Sequence, residues 1–193
     1  MTGKTTTNPA PVELVVLLAE DGTPIGEAPK ATVHGRVDST GDGAGTPLHL
    51  AFSCHVYSPA GELLLTRRAL SKATWPGVWT NSFCGHPGPG ERLEDAVRRR
   101  AREELGLRLD AVESLLPDFR YRAVDAGGTV ENEVCPVFRA IAAADPDPAP
   151  GEVAEWAWTT PEKASAAIAA APFAFSPWLV LQHAAGALKH PAH

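Results

Sequence analysis

The sequence predicts an α/β (α+β) protein in which a mixed β-sheet is sandwiched by helices within a single domain. Three observations support this prediction. Strand-like segments rich in apolar residues occupy both halves of the chain, one strongly periodic helix separates them, and two capped helices follow the last strand. A length of 193 residues with 44% hydrophobic residues suits one domain with a substantial core.

The first half of the chain predicts mainly strands and loops. Residues 1–10 are small and polar, which predicts a disordered tail, and residues 12–19 predict a buried strand followed by a turn at 21–24. A Gly-rich segment at 35–47 predicts a loop. Segments 48–57 and 62–67 are β-rich, and the connection at 58–61 predicts a hairpin between them.

The middle of the chain predicts an amphipathic helix from Glu91 to Leu105. Leu93, Val97, Ala101 and Leu105 recur every four residues and form an apolar stripe. Gly106 follows the last turn and predicts the stop, because glycine adopts the left-handed conformation that ends many helices.

The second half predicts further strands and the two final helices. Residues 118–122 and 130–142 predict two strands, of which the second is long enough to cross a whole sheet. Residues 153–158 alternate as a strand does. Thr-Pro at 160–161 and Ser-Pro at 176–177 have the chemistry of helix starts, and the last helix is expected to run through about Leu188. The domain is therefore expected to span 11–189, with a short C-terminal tail at 190–193.

Composition narrows the classes of function. A net charge of −6 argues against nucleic acid as a partner, because such binding depends on neutralising phosphates. No apolar run is long enough to span a bilayer, and the start lacks a secretory apolar stretch, so we expect no membrane partner and a cytoplasmic location. Three cysteines without a Cys-x-x-Cys spacing predict reduced thiols.

A thiol and an imidazole lie two positions apart at Cys84 and His86. In an extended segment, alternate side chains point to the same face, so both are expected to share one pocket. A lone Cys beside a lone His is more often ordinary packing than catalysis. Other polar residues are needed to favour a site.

Two carboxylates also share one face of the predicted strand at 130–142. Glu131 and Glu133 are two positions apart, and burying both is unfavourable unless a cation compensates. His34, His49 and His86 would complete a nitrogen and oxygen set suited to zinc or manganese. The alternative is an edge strand whose acidic face meets water.

The helix carries charges whose role the pattern leaves open. Its arginine run at 98–102 predicts a solvated face with ion pairs to Glu103 and Glu104. Glu104 also lies beside the apolar stripe, so it could instead face inward toward a cation.

Residues Gly85, Glu91 and 99–106, at their spacing, resemble the Nudix box of diphosphate-handling proteins. One position departs from the hydrolase pattern: Arg100 stands where Nudix hydrolases have a glutamate used on magnesium. The resemblance implies a Nudix-like fold, while the departure argues against simple hydrolysis.

Several further segments together resemble one branch of that superfamily, type I isopentenyl diphosphate isomerase. They are residues 49–53, 66–72, 75–82, 84–87, 121–122, 131–136 and 175–178. The resemblance covers roughly residues 12–182. It implies an isomerase that interconverts isopentenyl and dimethylallyl diphosphate in isoprenoid biosynthesis, with a small-molecule isoprenoid diphosphate as its partner.

The resemblance also implies roles for individual residues. Cys84 and Glu133 become the catalytic pair, with Tyr121 and Trp178 as aromatic residues of the active site. The implied ligands of one Mn²⁺ or Zn²⁺ are His34, His49, His86, Glu131 and Glu133. Glu104 and the backbone carbonyl of Cys84 are implied ligands of a Mg²⁺ carried by the diphosphate. Lys30, Arg68 and Lys72 are implied in binding the diphosphate, with Arg67 assisting.

Two other interpretations remain open. A Nudix hydrolase of a nucleoside or prenyl diphosphate is the first. The second is a catalytically inactive metal-binding module, favoured only if the Gly-rich loop displaces His34 from the metal. We expect a monomer or weak homodimer.

Overall fold

The computed structural model describes residues 12–37 and 45–189. The predicted tails at 1–10 and 190–193 and most of the Gly-rich loop lie outside the described residues. The described part contains twelve strands, four α-helices and a short 3₁₀-helix at Pro172–Ala174. The strands are β1 (Leu14–Leu18), β2 (Pro24–Pro29), β3 (His49–Leu50), β4 (Phe52–Tyr57), β5 (Leu63–Arg68), β6 (Trp79–Thr80), β7 (Phe83–Gly85), β8 (Ala111–Leu116), β9 (Arg120–Val124), β10 (Val130–Val134), β11 (Val137–Ile141) and β12 (Val153–Thr159). The helices are α1 (Lys30–Val33), α2 (Leu93–Leu105), α3 (Pro161–Ala170) and α4 (Pro177–Ala184).

The strands form two mixed sheets rather than the one sheet that the sequence predicted. One has the order β2-β1-β3-β10-β9, with β3 and β10 parallel. The other has the order β12-β5-β4-β11-β8, with β4 and β11 parallel, and β6 and β7 pair with β5 and β4. The α+β class and the mixed pairing are confirmed, and only the division into two sheets was missed.

The division arises at two predicted strand segments. The first, 48–57, is split at Ala51 into β3 of the smaller sheet and β4 of the larger one. The second is the long strand predicted at 130–142. The structure breaks this segment at Cys135 and Pro136, so that β10 joins the first sheet and β11 the second. Proline cannot donate to a sheet ladder, which explains why neither strand continues through it. The prediction of a single strand was therefore wrong, and the break brings both sheets to one site.

The helices cover both faces of the larger sheet, as predicted. Leu64 of β5 packs in one core cluster with the apolar stripe of α2. Its neighbours Leu63 and Leu65 pack in a second cluster with residues of α3 and α4. Alternation along the strand therefore separates the two layers.

Several boundaries differ from prediction. Helix α4 ends at Ala184 rather than Leu188. Helix α2 begins at Leu93 rather than Glu91, and it ends at Leu105 as predicted, with Gly106 as its cap at a φ of 66°. The predicted hairpin is present, but β4 and β5 pair only at Tyr57 and Leu63. Strand β2 was not predicted, because it is exposed, begins and ends with proline and lacks apolar alternation.

Within residues 12–37 and 45–189, no helix is both long enough and apolar enough to cross a bilayer.

Candidate active site

Both sheets, together with α1, α2 and α4, line a cavity of about 840 Å³. Most predicted site residues line it: Lys30, His34, Arg68, Lys72, Cys84, His86, Glu104, Tyr121, Glu131, Glu133 and Trp178. One cavity therefore collects residues that are far apart in the chain.

Four predicted metal ligands converge at one end of the cavity. His34, His49, His86 and Glu133 each offer a ligand atom, and these atoms lie within 4.8 Å of one another. His49 on β3 is the parallel-sheet neighbour of Glu133 on β10, which fixes this pair through backbone pairing. The His34 and His49 ring centroids are 5.1 Å apart, so the long loop has not displaced His34.

The chemistry of this group fits a divalent cation. Two buried ring nitrogens, His34 Nε2 and His86 Nδ1, have no hydrogen-bond partner, and His49 Nε2 faces the Glu133 carboxylate at 3.4 Å. Burial and the neighbouring imidazoles lower the pKa of His34 to about 4, so this ring is neutral and can act as a ligand at neutral pH. Unpartnered imidazole nitrogens beside a carboxylate are the donor set that zinc or manganese uses.

Glu133 is held ionised among these rings. Its Oε1 lies 3.1 Å from His86 Nε2 and 3.4 Å from His49 Nε2. Burial opposes ionisation, but the two imidazoles outweigh it and lower the pKa of the Glu133 carboxyl well below its usual range.

Glu131 lies outside the group of four. Its carboxylate accepts hydrogen bonds from Tyr121 Oη at 2.6 Å and from Thr74 Oγ1 at 2.9 Å. Burial and the Glu133 charge raise the pKa of Glu131 to about 7. Both acids are buried on an inner strand, which excludes the solvated edge strand considered from the sequence.

Cys84 presents its thiol to the same cavity from β7. Its Sγ lies 3.3 Å from Ser53 Oγ and donates to Asn81 Oδ1 at 3.4 Å. Burial raises the pKa of the Cys84 thiol to about 12, although these two polar neighbours oppose the shift. The thiol is therefore protonated at neutral pH.

Asn81 is a site residue that the sequence reasoning missed. Its Oδ1 also accepts from Trp178 Nε1 at 2.9 Å, while its Nδ2 donates to the carbonyls of Cys54 and Phe83. One buried amide thus positions both the thiol and the indole. Its place three residues before Cys84 was visible in the sequence, but nothing there indicated these contacts.

Cationic side chains also line the cavity. Lys30 donates to Glu13 at 2.9 Å, and Lys72 pairs with Glu152. Arg68 donates to the carbonyl of Thr74, and its Cζ lies 5.4 Å from the Trp178 ring centroid.

Arg67 is placed differently from the prediction. It does not belong to the residues lining the cavity, and its guanidinium donates to Glu155 at 2.8 Å. Successive side chains of a strand point to opposite faces, so Arg67 and Arg68 cannot both reach the same site.

Helix α2 contributes Glu104 and Arg100 to the cavity. Arg100 Nε donates to Glu104 Oε1 at 2.9 Å, and both residues are buried. Burial raises the pKa of Glu104 despite this partner. Glu104 therefore faces inward, and the prediction of a solvated arginine face was wrong for Arg100. The stripe spacing gave the signal for Glu104, but Arg100 was missed as a cavity residue.

Gly85 permits the close approach of α2 to the site. A Cβ at this position would lie 2.9 Å from Arg100 Cγ and 2.9 Å from Phe52 Cζ. Real Cβ atoms essentially never approach that closely, so the Cys-Gly-His order is a steric requirement of this packing.

Comparison with known proteins agrees with the fold. A family model described as the NUDIX domain matches residues 47–179. A crystal structure of DR0079 from Deinococcus radiodurans matches with a TM-score of 0.61 and 25% identity, covering 82% of this chain and 90% of that one. The chain belongs to the Nudix family.

Curated relatives define its branch of that family. An isopentenyl-diphosphate Delta-isomerase of Clavibacter michiganensis is 60% identical over 96% of this chain and 91% of its own length. Proteins of the same name from Leifsonia xyli and Corynebacterium glutamicum are 60% and 55% identical, covering 89% and 92% of this chain and 90% and 93% of their own lengths. Within the Nudix family, this chain belongs to the isopentenyl-diphosphate Delta-isomerases.

Proposed function

We propose that the enzyme interconverts isopentenyl and dimethylallyl diphosphate, with a metal held by its His/Glu group, as a step of isoprenoid biosynthesis. The names of its relatives support the reaction. The observation that carries the proposal is that a protonated thiol, an ionised carboxylate and a buried indole line the same cavity, at Cys84, Glu133 and Trp178.

The reaction needs a paired acid and base. A proton is added to the terminal alkene carbon, the positive charge forms on the tertiary carbon, and a proton leaves the carbon next to the diphosphate-bearing one. Cys84 carries a proton while Glu133 carries none, so together they supply one donor and one acceptor. The Tyr121 hydroxyl, which donates a hydrogen bond to Glu131, would relay a proton.

A tertiary carbocation requires stabilisation without a nucleophile. The Trp178 ring is 2% exposed and lines the cavity, and its indole N–H is held by Asn81. An aromatic face contributes on the order of 2 kcal/mol to a desolvated cation.

His34, His49, His86 and Glu133, with Glu131 alongside, would hold one Mn²⁺ or Zn²⁺. Such an ion, when bound, fixes the orientation of the Glu133 carboxylate and tunes its pKa. Each oxygen of the Glu131 carboxylate accepts one hydrogen bond, which leaves a lone pair on each for the ion.

The diphosphate would bind to the cationic side chains that line the cavity. Lys30, Arg68 and Lys72 are the proposed contacts, and Arg100 is added because it lines the same cavity. Glu104 and the backbone carbonyl of Cys84 would hold a Mg²⁺ that arrives with the diphosphate. Phosphate oxygens then compete with Glu13 and Glu152 for the two lysines. This binding energy would position the hydrocarbon beside Cys84.

A Nudix hydrolase is the second candidate function. The Nudix fold supports it, but Arg100 removes a carboxylate at the position where hydrolases bind magnesium. The alternative of an inactive metal module required a displaced His34, and the structure places His34 with the other ligands.

Isomerase and hydrolase are distinguished by one experiment. The purified, metal-loaded protein is incubated with isopentenyl diphosphate in deuterated water and followed by NMR. We expect deuterium in the product methyl group and no released phosphate. Release of phosphate or pyrophosphate without deuterium incorporation would assign the protein to the hydrolases.

A further inference from the structure

A buried polar chain leads away from the cavity behind Cys84. Ser53 Oγ lies 3.3 Å from Cys84 Sγ, and Gln182 Nε2 donates to the same oxygen at 2.8 Å. Gln182 Oε1 lies 2.9 Å from His55 Nε2. Ser53, Gln182 and His55 are each fully buried. This hydrogen-bond chain joins β4 to α4 and ends on the Cys84 thiol.

The direction of these hydrogen bonds follows from the donors. Because the Gln182 amide N–H₂ donates to Ser53, the serine oxygen acts as acceptor there and its own hydrogen is free for a sulfur. Two sulfurs are in reach, Cys84 at 3.3 Å and Cys135 at 3.5 Å. The Cys84 thiol donates to Asn81, so its sulfur lone pairs remain available to Ser53.

The far end of the chain is neutral and fixed. His55 has one ring nitrogen on Gln182, while its Nδ1 has no hydrogen-bond partner. The Gln182 carbonyl oxygen can only accept, so His55 Nε2 carries the proton. Burial lowers the pKa of His55 to about 4, which keeps the ring uncharged at neutral pH.

Backbone pairing fixes the near end as well. Ser53 and Cys84 are opposite residues in the antiparallel pairing of β4 with β7. The distance between hydroxyl and thiol is therefore set by the sheet, and Gln182 sets the direction in which the hydroxyl points. Three buried polar side chains cost free energy that apolar residues would not, so a role in placing the thiol accounts for them better than packing does.

We propose that Ser53 is a positioning residue for the isomerase reaction. Its hydroxyl, held by Gln182 and His55, donates to Cys84 Sγ and keeps the thiol in the rotamer that faces the cavity. This rests on the proposed function, in which Cys84 exchanges a proton with the substrate. The proposal adds Ser53, Gln182 and His55 as residues that act on the reaction without touching substrate or metal.

The test compares a variant that removes the Ser53 hydroxyl with one that removes a sulfur neighbour of that hydroxyl. Ser53→Ala deletes the hydroxyl, whereas Cys135→Ala deletes the other sulfur beside it. We expect Ser53→Ala to lower kcat by about 10- to 100-fold, since small misplacements of a reacting group cost this much, with KM for isopentenyl diphosphate unchanged. Cys135→Ala should keep kcat within about threefold of wild type.

A crystal structure of Ser53→Ala provides a readout independent of turnover. We expect the Cys84 side chain to leave its wild-type rotamer or to occupy two. If Ser53→Ala does not fold, Gln182→Met replaces it, because Met has a similar length and lacks the amide donor. The same loss in kcat and the same rotamer change are expected.

Each failure has its own signature. Wild-type kcat in Ser53→Ala, an equal loss in Cys135→Ala, or an unchanged Cys84 rotamer would overturn the positioning role while leaving the isomerase assignment intact. Absence of deuterium incorporation by the wild-type enzyme would overturn the proposed function itself, and the proposed role for Ser53 with it.

Discussion

At the residue scale, the proposed reaction depends on two groups with opposite protonation states. Burial keeps Cys84 protonated, whereas the imidazoles beside Glu133 keep it ionised. Neither state could be predicted from the sequence, because each follows from neighbours distant in the chain.

Removing either group should abolish the isomerisation. We expect Cys84→Ala and Glu133→Gln each to lower kcat by at least about 10³-fold, within the range of lost acid–base catalysis. Both variants should fold, as measured by thermal unfolding, and Cys84→Ala should keep its bound metal, whereas Glu133→Gln loses one proposed metal ligand. Cys54→Ala is a matched control at a buried thiol away from the cavity lining, and its kcat should be near that of wild type. A Cys84→Ala enzyme with wild-type turnover would exclude the thiol from proton transfer.

Lys72 and Arg67, which flank the end of β5 in the sequence, provide a second matched comparison. Lys72 lines the cavity and Arg67 does not, although both pair with a glutamate. We expect Lys72→Gln to raise KM for isopentenyl diphosphate by roughly 10- to 100-fold, the value of a hydrogen bond to a charged group. Arg67→Gln should change KM by less than about threefold. Equal changes in KM for the two variants in steady-state kinetics would contradict the conclusion that Lys72 faces the cavity and Arg67 does not.

Burial of His55 makes stability depend on pH. The pKa of His55 is about 4 in the folded protein and about 6.5 when unfolded. Between these values the unfolded state binds the extra proton, so His55 contributes stability above pH 6.5 that is lost as pH falls toward 4. The loss should approach about 3 kcal/mol by pH 4.

Urea unfolding of wild type and His55→Gln at several pH values measures this term. We expect the free energy of unfolding of wild type to fall more steeply between pH 6.5 and 4 than that of the variant. Parallel curves would show that His55 is not buried in its neutral form.

At the element scale, α2 was the most predictable segment. Its four-residue apolar stripe packs as expected, and Gly106 ends it in the left-handed conformation. Short strands such as β6 and β7 were not predictable, because two or three residues carry no periodic signal and form only through pairing with β5 and β4.

Two glycines with similar backbone angles allow the cost of backbone strain to be measured apart from the cost of steric crowding. Gly106 and Gly90 have φ of 66° and 73°. A Cβ at Gly106 would lie 2.9 Å from the Asp147 carbonyl oxygen, whereas a Cβ at Gly90 would have no heavy atom of another part of the protein within 4 Å. Gly90→Ala should cost about 1 kcal/mol of unfolding free energy, the conformational term alone. Gly106→Ala should cost at least about 1 kcal/mol more, because overpacking adds to it.

Denaturant unfolding of both variants measures the difference. Similar losses would mean that the connection at Asp147 moves away freely and does not confine the end of α2.

At the scale of the whole molecule, the two sheets meet at the metal-binding group. β3 brings His49 and β10 brings Glu133 from the smaller sheet, while His86 follows β7 of the larger one. A cation bound by all four residues would connect the sheets directly.

Metal removal should therefore affect both stability and turnover. We expect the chelated protein to lose isomerase activity and to unfold at a lower temperature, with Mn²⁺ or Zn²⁺ restoring both. His183→Gln is the control, since His183 lies outside the group and bonds to Ser165; its response should equal that of wild type. An unchanged melting temperature on adding metal would argue against this site.

The sequence by itself determined the kinds of chemical groups and their order: Cys84, the histidines, the acidic pair and the helix with Glu104. Local spacing is sufficient for this, because alternation and helical periodicity act between near neighbours. Only the tertiary structure decided which groups share the cavity, since long-range strand pairing buries Arg100 with Glu104, turns Arg67 away and directs Glu131 to Tyr121. The Ser53 chain reaches Cys84 for the same reason: its members, 129 positions apart at the extremes, meet only when α4 packs on β4.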